Sequence, residues 1–318
     1  MTELSMSNSE LTTWQHCKRK WMLKYYKQLS VKPENQSNIG VMHLGTRIHI
    51  ALEYMYGWSA DPFQVLSIIY KHEKQYQSSE VIEELTKEHQ LAVKMIEGYL
   101  EWLDETGADE DIEIVSTERD VAVDGPHGVT LRARLDMRIR QQSSGTIRFV
   151  DHKTVGDFNG KLTTLEKDPQ MRFYNLIDKL EALQTGSNER SGGGVWNMFK
   201  RSKRTARAKP PFNQRVETDY NDETLRSVYF KIHEVIGEIV QARLRLDAGE
   251  DHRMVVYPNA GPDCSWKCEF VAMCPLMDDG SRWQDMAAGE YVISDPYGYY
   301  EPSKIPELTA LRDKKSTA

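Results

Sequence analysis

Residues 129–154 read V-T-L-R-A-R-L-D-M-R-I-R-Q-Q-S-S-G-T-I-R-F-V-D-H-K-T. The first half alternates. Leu131, Ala133, Leu135, Met137 and Ile139 fall on one face of an extended strand, and Arg132, Arg134, Asp136 and Arg138 on the other. Q-Q-S-S-G has turn composition, and T-I-R-F-V-D-H-K-T reads as a second strand, so the stretch predicts an antiparallel hairpin. Asp151 and Lys153 are two apart and share one side of that strand. The hairpin can therefore gather Asp136, Asp151 and Lys153. Neighbouring carboxylates repel, and a divalent cation relieves the repulsion. Oxygen ligands suit Mg²⁺ or Mn²⁺, and a lysine beside them can position or deprotonate an attacking water. Phosphodiester hydrolysis needs this chemistry. A surface hairpin closed by Asp–Lys salt bridges has the same D-x-K spacing, so the triplet alone does not decide between the two.

Working outward, residues 7–29 predict a helix with Ser7 and Ser9 as caps, and 30–40 a polar loop. The helical period returns over 44–56 and again over 62–104. G-A-D-E-D at 107–111 is an acidic turn, after which I-E-I-V-S and V-A-V alternate as strands. Beyond the hairpin, a helix runs from Pro169 to Leu183. S-G-G-G at 191–194 is expected to break the chain before a short strand, V-W-N-M-F, whose Trp196 and Phe199 read as core. A basic loop follows, then a long helix over 222–248 and a tail rich in Cys, Trp and Pro. The predicted organisation is a helical part over 1–110, a core over 111–250 and a cysteine segment over 251–318, together forming one compact unit.

Of 318 residues, 39% are hydrophobic and 28% charged, an ordinary globular balance. Forty-one Lys+Arg against 48 Asp+Glu give a net charge of −7, which excludes a generally basic nucleic-acid coat protein but not a local basic patch. No apolar run is long enough to span a membrane, and the polar N-terminus has no secretory core. A cytoplasmic setting is expected, where the four cysteines would not pair as disulfides. No phosphate-binding G-x-x-x-x-G-K-[ST] occurs; the stretch from Gly156 to Leu162 has the wrong spacing, so a helicase motor is excluded. His233, in H-E-V-I-G, lacks the second histidine of a zinc protease.

His49, in G-T-R-I-H, offers an imidazole as a further metal ligand. Gln170 and Tyr174 lie four apart on one helix face and could bond the lysine, the water or a phosphate. Lys200, Arg201, Lys203, Arg204, Arg207 and Lys209 place six cations in ten positions, a candidate contact for DNA phosphates. Cys264, Cys268 and Cys274 cluster beside Trp266, Phe270 and Pro275, and Cys17 stands 247 positions before Cys264. Four thiolates suit an iron–sulfur cluster or Zn²⁺. Such a site would join two remote parts of the chain, which favours a structural role.

In order, G-T-R-I-H, A-R-L-D-M-R-I, V-D-H-K and Q-M-R-F-Y resemble the motif set of RecB-like nucleases of the PD-(D/E)XK superfamily. That set runs G-x-x-x-H, G-x-x-D-x, (D/E)-x-K and Q-x-x-x-Y. S-N-S-E-L-T-T-W-Q-H-C-K-R-K-W-M-L-K-Y-Y is similar to the same family's opening helix, and the likeness extends from about Ser5 to Cys274. Ala133 stands where the family often has glycine. The resemblance implies a restriction-endonuclease-like α/β core, a mixed sheet flanked by helices. It implies His49, Asp136, Asp151 and the carbonyl of His152 as metal ligands, Lys153 as the catalytic lysine, and Gln170 with Tyr174 in support. One N-terminal and three C-terminal cysteines resemble the branch, seen in AddB-type subunits and CRISPR-associated nucleases, that holds a [4Fe–4S] cluster. The spacing here is C-x3-C-x5-C, and zinc stays open as the alternative. The implied activity is exonucleolytic cleavage of single-stranded DNA ends in replication, recombination or processing, as in stand-alone phage nucleases. A helicase or recombination protein is the implied partner. An inactive nucleic-acid scaffold and a CRISPR spacer-processing nuclease are the alternatives.

Overall fold

The computed structural model describes residues 4–33, 39–189, 191–205, 207–298 and 305–313. Residues 34–38 of the expected 30–40 loop, and Ala206 of the basic loop, lie outside the described residues. In chain order the main elements are β1 (Ser5–Ser7), α1 (Asn8–His16), α2 (Lys18–Trp21), β2 (Leu29–Val31), α3 (Val41–Trp58), α4 (Pro62–Glu73), α5 (Ser79–Thr106), β3 (Ile112–Asp124), β4 (Thr130–Gln141), β5 (Ile147–Val155), α6 (Phe158–Leu162), α7 (Pro169–Thr185), β6 (Ser191–Lys200), β7 (Asn213–Thr218), α8 (Asp222–Asp247) and β8 (Tyr291–Ile293).

Six strands form a mixed sheet in the order β1-β4-β5-β6-β7, with β3 also pairing β4. The predicted hairpin is present: β4 and β5 are antiparallel, with Met137 opposite Val150. β5 and β6 are parallel, Asp151 facing Trp196 and Lys153 facing Met198. A parallel neighbour needs a crossover, and α6 and α7 supply it. The alternation holds: Leu131, Ala133, Leu135, Met137 and Ile139 are all buried, while the intervening residues are partly exposed.

Chain contacts divide the protein into two units. One comprises residues 37–121, 134–221 and 300–318. Its helical core joins Leu44, Ile48 and Leu52 of α3, Val65 and Ile69 of α4, and Met95, Ile96 and Tyr99 of α5. Arg47, almost fully buried, staples the three helices by pairing with Glu73 and Glu88, each at 2.7 Å. A buried guanidinium is tolerated when its charge is matched in this way.

The other unit comprises residues 1–36, 122–133 and 222–299. β2 pairs antiparallel with β8, Leu29 opposite Ile293. Trp14 of α1 donates to Glu238 of α8 at 2.7 Å. Glu10, fully buried, accepts from Trp21 Nε1 at 2.8 Å and from the Tyr297 hydroxyl.

Three expectations are corrected. The helix predicted over 7–29 is broken at Cys17, whose φ of −157° and ψ of 108° are extended, and it ends in a π-helical turn over Met22–Tyr26. The helical stretch over 62–104 is two helices, parted at residues 74–78. S-G-G-G does not break the chain: it is the first part of β6. A Cβ on Gly194 would stand 2.5 Å from the Phe149 ring, so glycine here makes room for the neighbouring strand's side chain. The strand β7 gave no signal strong enough to be read from the sequence.

Candidate functional site

The site is built midway along β4 and β5, beside α3. Met137 and Val150 are partners, so Asp136 and Asp151 are one residue further along each strand. There the Asp136 carboxylate accepts the backbone N–H of His152 at 2.7 Å. α3 brings His49, whose Nδ1 lies 3.3 Å from Asp136 Oδ2. The helix comes close to β3 at Gly57, where a Cβ would meet Thr117 Oγ1 at 2.6 Å. The residue after Thr117 is Glu118. Among the described residues, one group of three or more potential metal ligands has its ligand atoms all within 4.8 Å of one another: His49, Glu118 and Asp136.

On the other side of Asp151, Lys153 Nζ lies 2.8 Å from Oδ2. Gln170 Nε2 donates to Oδ1 at 3.1 Å and is 2.9 Å from the Tyr174 hydroxyl. Their helix, α7, is set by local chemistry: Asp168 caps the N–H groups of Gln170 and Met171, with Pro169 at the first helical position. Lys153 and Lys161 Nζ stand 5.5 and 5.4 Å from the Trp196 ring centroid, and that indole is fully buried. The His152 ring lies edge-on to that of His49, with centroids 5.8 Å apart. The Nδ1 of His152 is 3.0 Å from Asn197 Nδ2, which also donates to Tyr99.

Burial dominates the electrostatics, and the charged neighbours decide its outcome. Burial works against protonating His49, but Asp136 and its hydrogen bond outweigh that and raise the imidazole to about 9. Asp136 is held far below the usual carboxylate range despite burial, by His49 first and then His152 and Lys153. Burial pushes Asp151 up to about 6 against the opposing pull of Lys153. Burial, then Asp136 and Glu53, raise Glu118 to about 8. Burial lowers His152 to about 3, so that ring is neutral.

The structure brings together His49, Asp136, Asp151, Lys153, Gln170 and Tyr174. Sequence reasoning missed Glu118. Its φ of 45° places it in the left-handed region inside a strand. Burial in β3 accordingly changes phase there, favouring even-numbered residues before it and Val121 and Val123 after it. The basic run begins at the end of β6, where the Arg201 N–H donates to the Val155 carbonyl at 2.8 Å. Lys203, Arg207 and Lys209 are exposed. Arg204 pairs with Glu101 at 2.5 Å and lies over Phe212.

The four cysteines are free thiols and line one cavity of about 290 Å³ with Arg19, Leu23, Phe270 and Pro275. Cys17 sits at the break between α1 and α2. Burial pushes the Cys268 and Cys274 thiols up. Contacts around the cavity join the same two stretches of chain: Lys24 pairs with Glu269 at 3.3 Å, and Lys20 donates to the Lys267 carbonyl at 3.1 Å.

Residues 5–275 match the family model of the PD-(D/E)XK nuclease superfamily. The chain belongs to that superfamily. PD-(D/E)XK nucleases use divalent metals and act on nucleic acid, and the mixed sheet flanked by helices is consistent with their fold. The chain is also similar to the solved structure titled "Crystal structure of SSO0001", at 13% identity, over 86% of this chain and 88% of that one, with a TM-score of 0.35. No curated protein matches it. For this PD-(D/E)XK chain, no described helix is long and apolar enough to cross a membrane.

Proposed function

We propose that the chain is a Mg²⁺- or Mn²⁺-dependent deoxyribonuclease that works as an exonuclease on single-stranded DNA ends. The convergence of His49, Asp136, Asp151 and Lys153 at the middle of the β4–β5 hairpin carries this reading. The donor set fits a hard divalent cation: carboxylate oxygens and one imidazole, among them Glu118, whose charged form burial, then Asp136 and Glu53, disfavour. His49, Asp136, Asp151 and the His152 carbonyl would hold the ion, with Glu118 as a further ligand from β3. When bound, the ion supplies Lewis-acid polarisation of the phosphate and a lowered water pKa. His49 must release its proton to serve as a ligand. Lys153 keeps Asp151 ionised and presents an ammonium to the developing phosphate charge. Gln170 fixes the rotation of the Asp151 carboxylate, and Tyr174 fixes Gln170. The preference for single-stranded ends, and a setting in bacterial or phage replication, recombination or DNA processing beside a helicase or recombination protein, rest on the resemblance of the motif set.

Cys17, Cys264, Cys268 and Cys274 would hold a [4Fe–4S] cluster. They face one cavity, yet no three of the described sulfurs form a group within 4.8 Å. A tetrahedral zinc site on the same four thiolates is the alternative. The test of the nuclease reading is incubation of the purified chain with end-labelled single- and double-stranded DNA, with Mg²⁺, Mn²⁺ or EDTA. Metal-dependent loss of nucleotides from single-stranded ends is expected. Intact DNA under every metal condition would overturn the reading.

A further inference from the structure

We propose that Arg19 is the positioning residue of the cysteine-lined cavity, donating N–H groups to the thiolate sulfurs of its cluster and offsetting their charge. This rests on reading the cavity as an iron–sulfur site. Arg19 lies two residues after Cys17 on α2 and is 1% exposed. Its Nη1 lies 2.6 Å from Asp278 Oδ2 and 3.4 Å from the Cys274 carbonyl oxygen. Its Nε and Nη2 are buried with no hydrogen-bond partner. A guanidinium carries five donors in a fixed fork, and leaving donors buried and unmatched is costly.

One carboxylate and one carbonyl therefore do not account for this side chain. Arg19 lines the same cavity as all four cysteines. Four thiolates on an iron–sulfur core leave a net negative charge in a largely apolar cavity, and such charge is stable only when paired or hydrogen-bonded. Hydrogen bonds to the sulfurs and local charge set a cluster's potential. The unmatched N–H groups and the uncompensated thiolates answer each other. Lys20 also lines the cavity, and its Nζ donates to the Lys267 carbonyl at 3.1 Å.

The experiment compares the anaerobically purified full chain with Arg19→Met and Arg19→Lys. Three quantities are read: iron and sulfide per chain, the midpoint potential from a titration followed by electron paramagnetic resonance, and the rate of iron loss to a ferrous chelator. Removing the cation should make the potential more negative, because the reduced cluster carries the greater negative charge. Losing one charge-assisted hydrogen bond should speed iron loss about tenfold in Arg19→Met. Arg19→Lys keeps the charge but not the fork, so it should lose iron faster than wild type while shifting the potential less. A purely structural Arg19–Asp278 pair would move the melting temperature and leave the potential unmoved. If Arg19→Met does not fold, Arg19→Lys decides. Wild-type potential and iron-loss rate in the folded variants overturn the role of Arg19. A wild-type protein without iron and sulfide overturns the cluster reading itself.

Discussion

The backbone N–H of His152 donates to the side chain of Asp136 across the β4–β5 hairpin at 2.7 Å. A main-chain group between Asp151 and Lys153 thus orients the carboxylate of the opposite strand. The spacing of D-x-K places two side chains on one face of β5, and the intervening peptide fixes the third charged group. Any distortion of β5 would move all three together.

Asp136→Asn and Asp136→Ala should therefore differ in stability and agree in activity. Asn keeps an oxygen that can accept the His152 N–H, whereas Ala leaves that donor unmatched. Both remove a ligand charge, and Asp151→Asn does the same from β5. Each should lower cleavage by on the order of a hundredfold or more while DNA binding, read by fluorescence anisotropy without metal, persists. Near-wild-type rates at equal Mg²⁺ in all three would show that the metal is held elsewhere.

Glu118→Gln removes a carboxylate that burial, Asp136 and Glu53 already disfavour. In EDTA the variant should melt no lower than wild type, because an uncharged amide replaces a carboxyl whose charged form burial disfavours. With Mg²⁺ or Mn²⁺ the wild type should gain stability by mass action, and Glu118→Gln should need about 10 to 100 times more metal for the same gain. Equal metal dependence of the melting temperature would remove Glu118 from the ligand set.

Much of this site was legible because its geometry is regular. Asp136, Asp151 and Lys153 sit on alternating strands, where parity alone fixes a side, and Gln170 and Tyr174 are one helical turn apart. Glu118 was hidden because its left-handed backbone breaks the alternation that makes a strand readable. Gly192, Gly193 and Gly194 misled for a related reason. Glycine commonly marks a break, but in β6 Gly192 leaves space for Thr146 and Arg148, Gly194 for Phe149, and Gly193, with a φ of 79°, lets the Thr218 carbonyl approach, tertiary requirements with no signature in the sequence. Cys17 was read as part of one continuous helix, since Trp14 and Trp21 keep the helical period on either side of it. The interruption is a single residue in extended conformation.

The basic loop divides into paired and exposed charges. Arg204 is paired with Glu101, and the Arg201 backbone bonds the Val155 carbonyl at 2.8 Å where β5 ends. Lys203, Arg207 and Lys209 are exposed. Changing these three to Glu should weaken single-stranded DNA binding and flatten the plot of log affinity against log salt by about 0.7 for each lost phosphate contact. Arg204→Glu should instead lower the melting temperature, since it faces Glu101 with a like charge. A salt slope unchanged in the triple variant would show that the loop does not meet the backbone of the DNA.

Cys17→Ala tests whether the N-terminal stretch is held to the C-terminal cysteines by a shared cluster or only by protein contacts. Those contacts are substantial: Lys24–Glu269, Arg19–Asp278 and the β2–β8 pairing all survive the substitution. The variant should therefore fold. Wild-type protein prepared without oxygen should be brown and carry about four irons per chain. Cys17→Ala removes one of four thiolate ligands, so the colour should fade and the melting temperature should fall by roughly 5 °C or more, the scale of a few kcal/mol in a protein of this size. After chelation of iron from both proteins, the difference in melting temperature should shrink to that of one weak cap, the Cys17 sulfur accepting from the Lys20 N–H at 3.5 Å. That convergence separates loss of the cluster from damage to α2. A Cys17→Ala protein that keeps its full iron complement would show that Cys264, Cys268 and Cys274 hold the cluster with some other ligand.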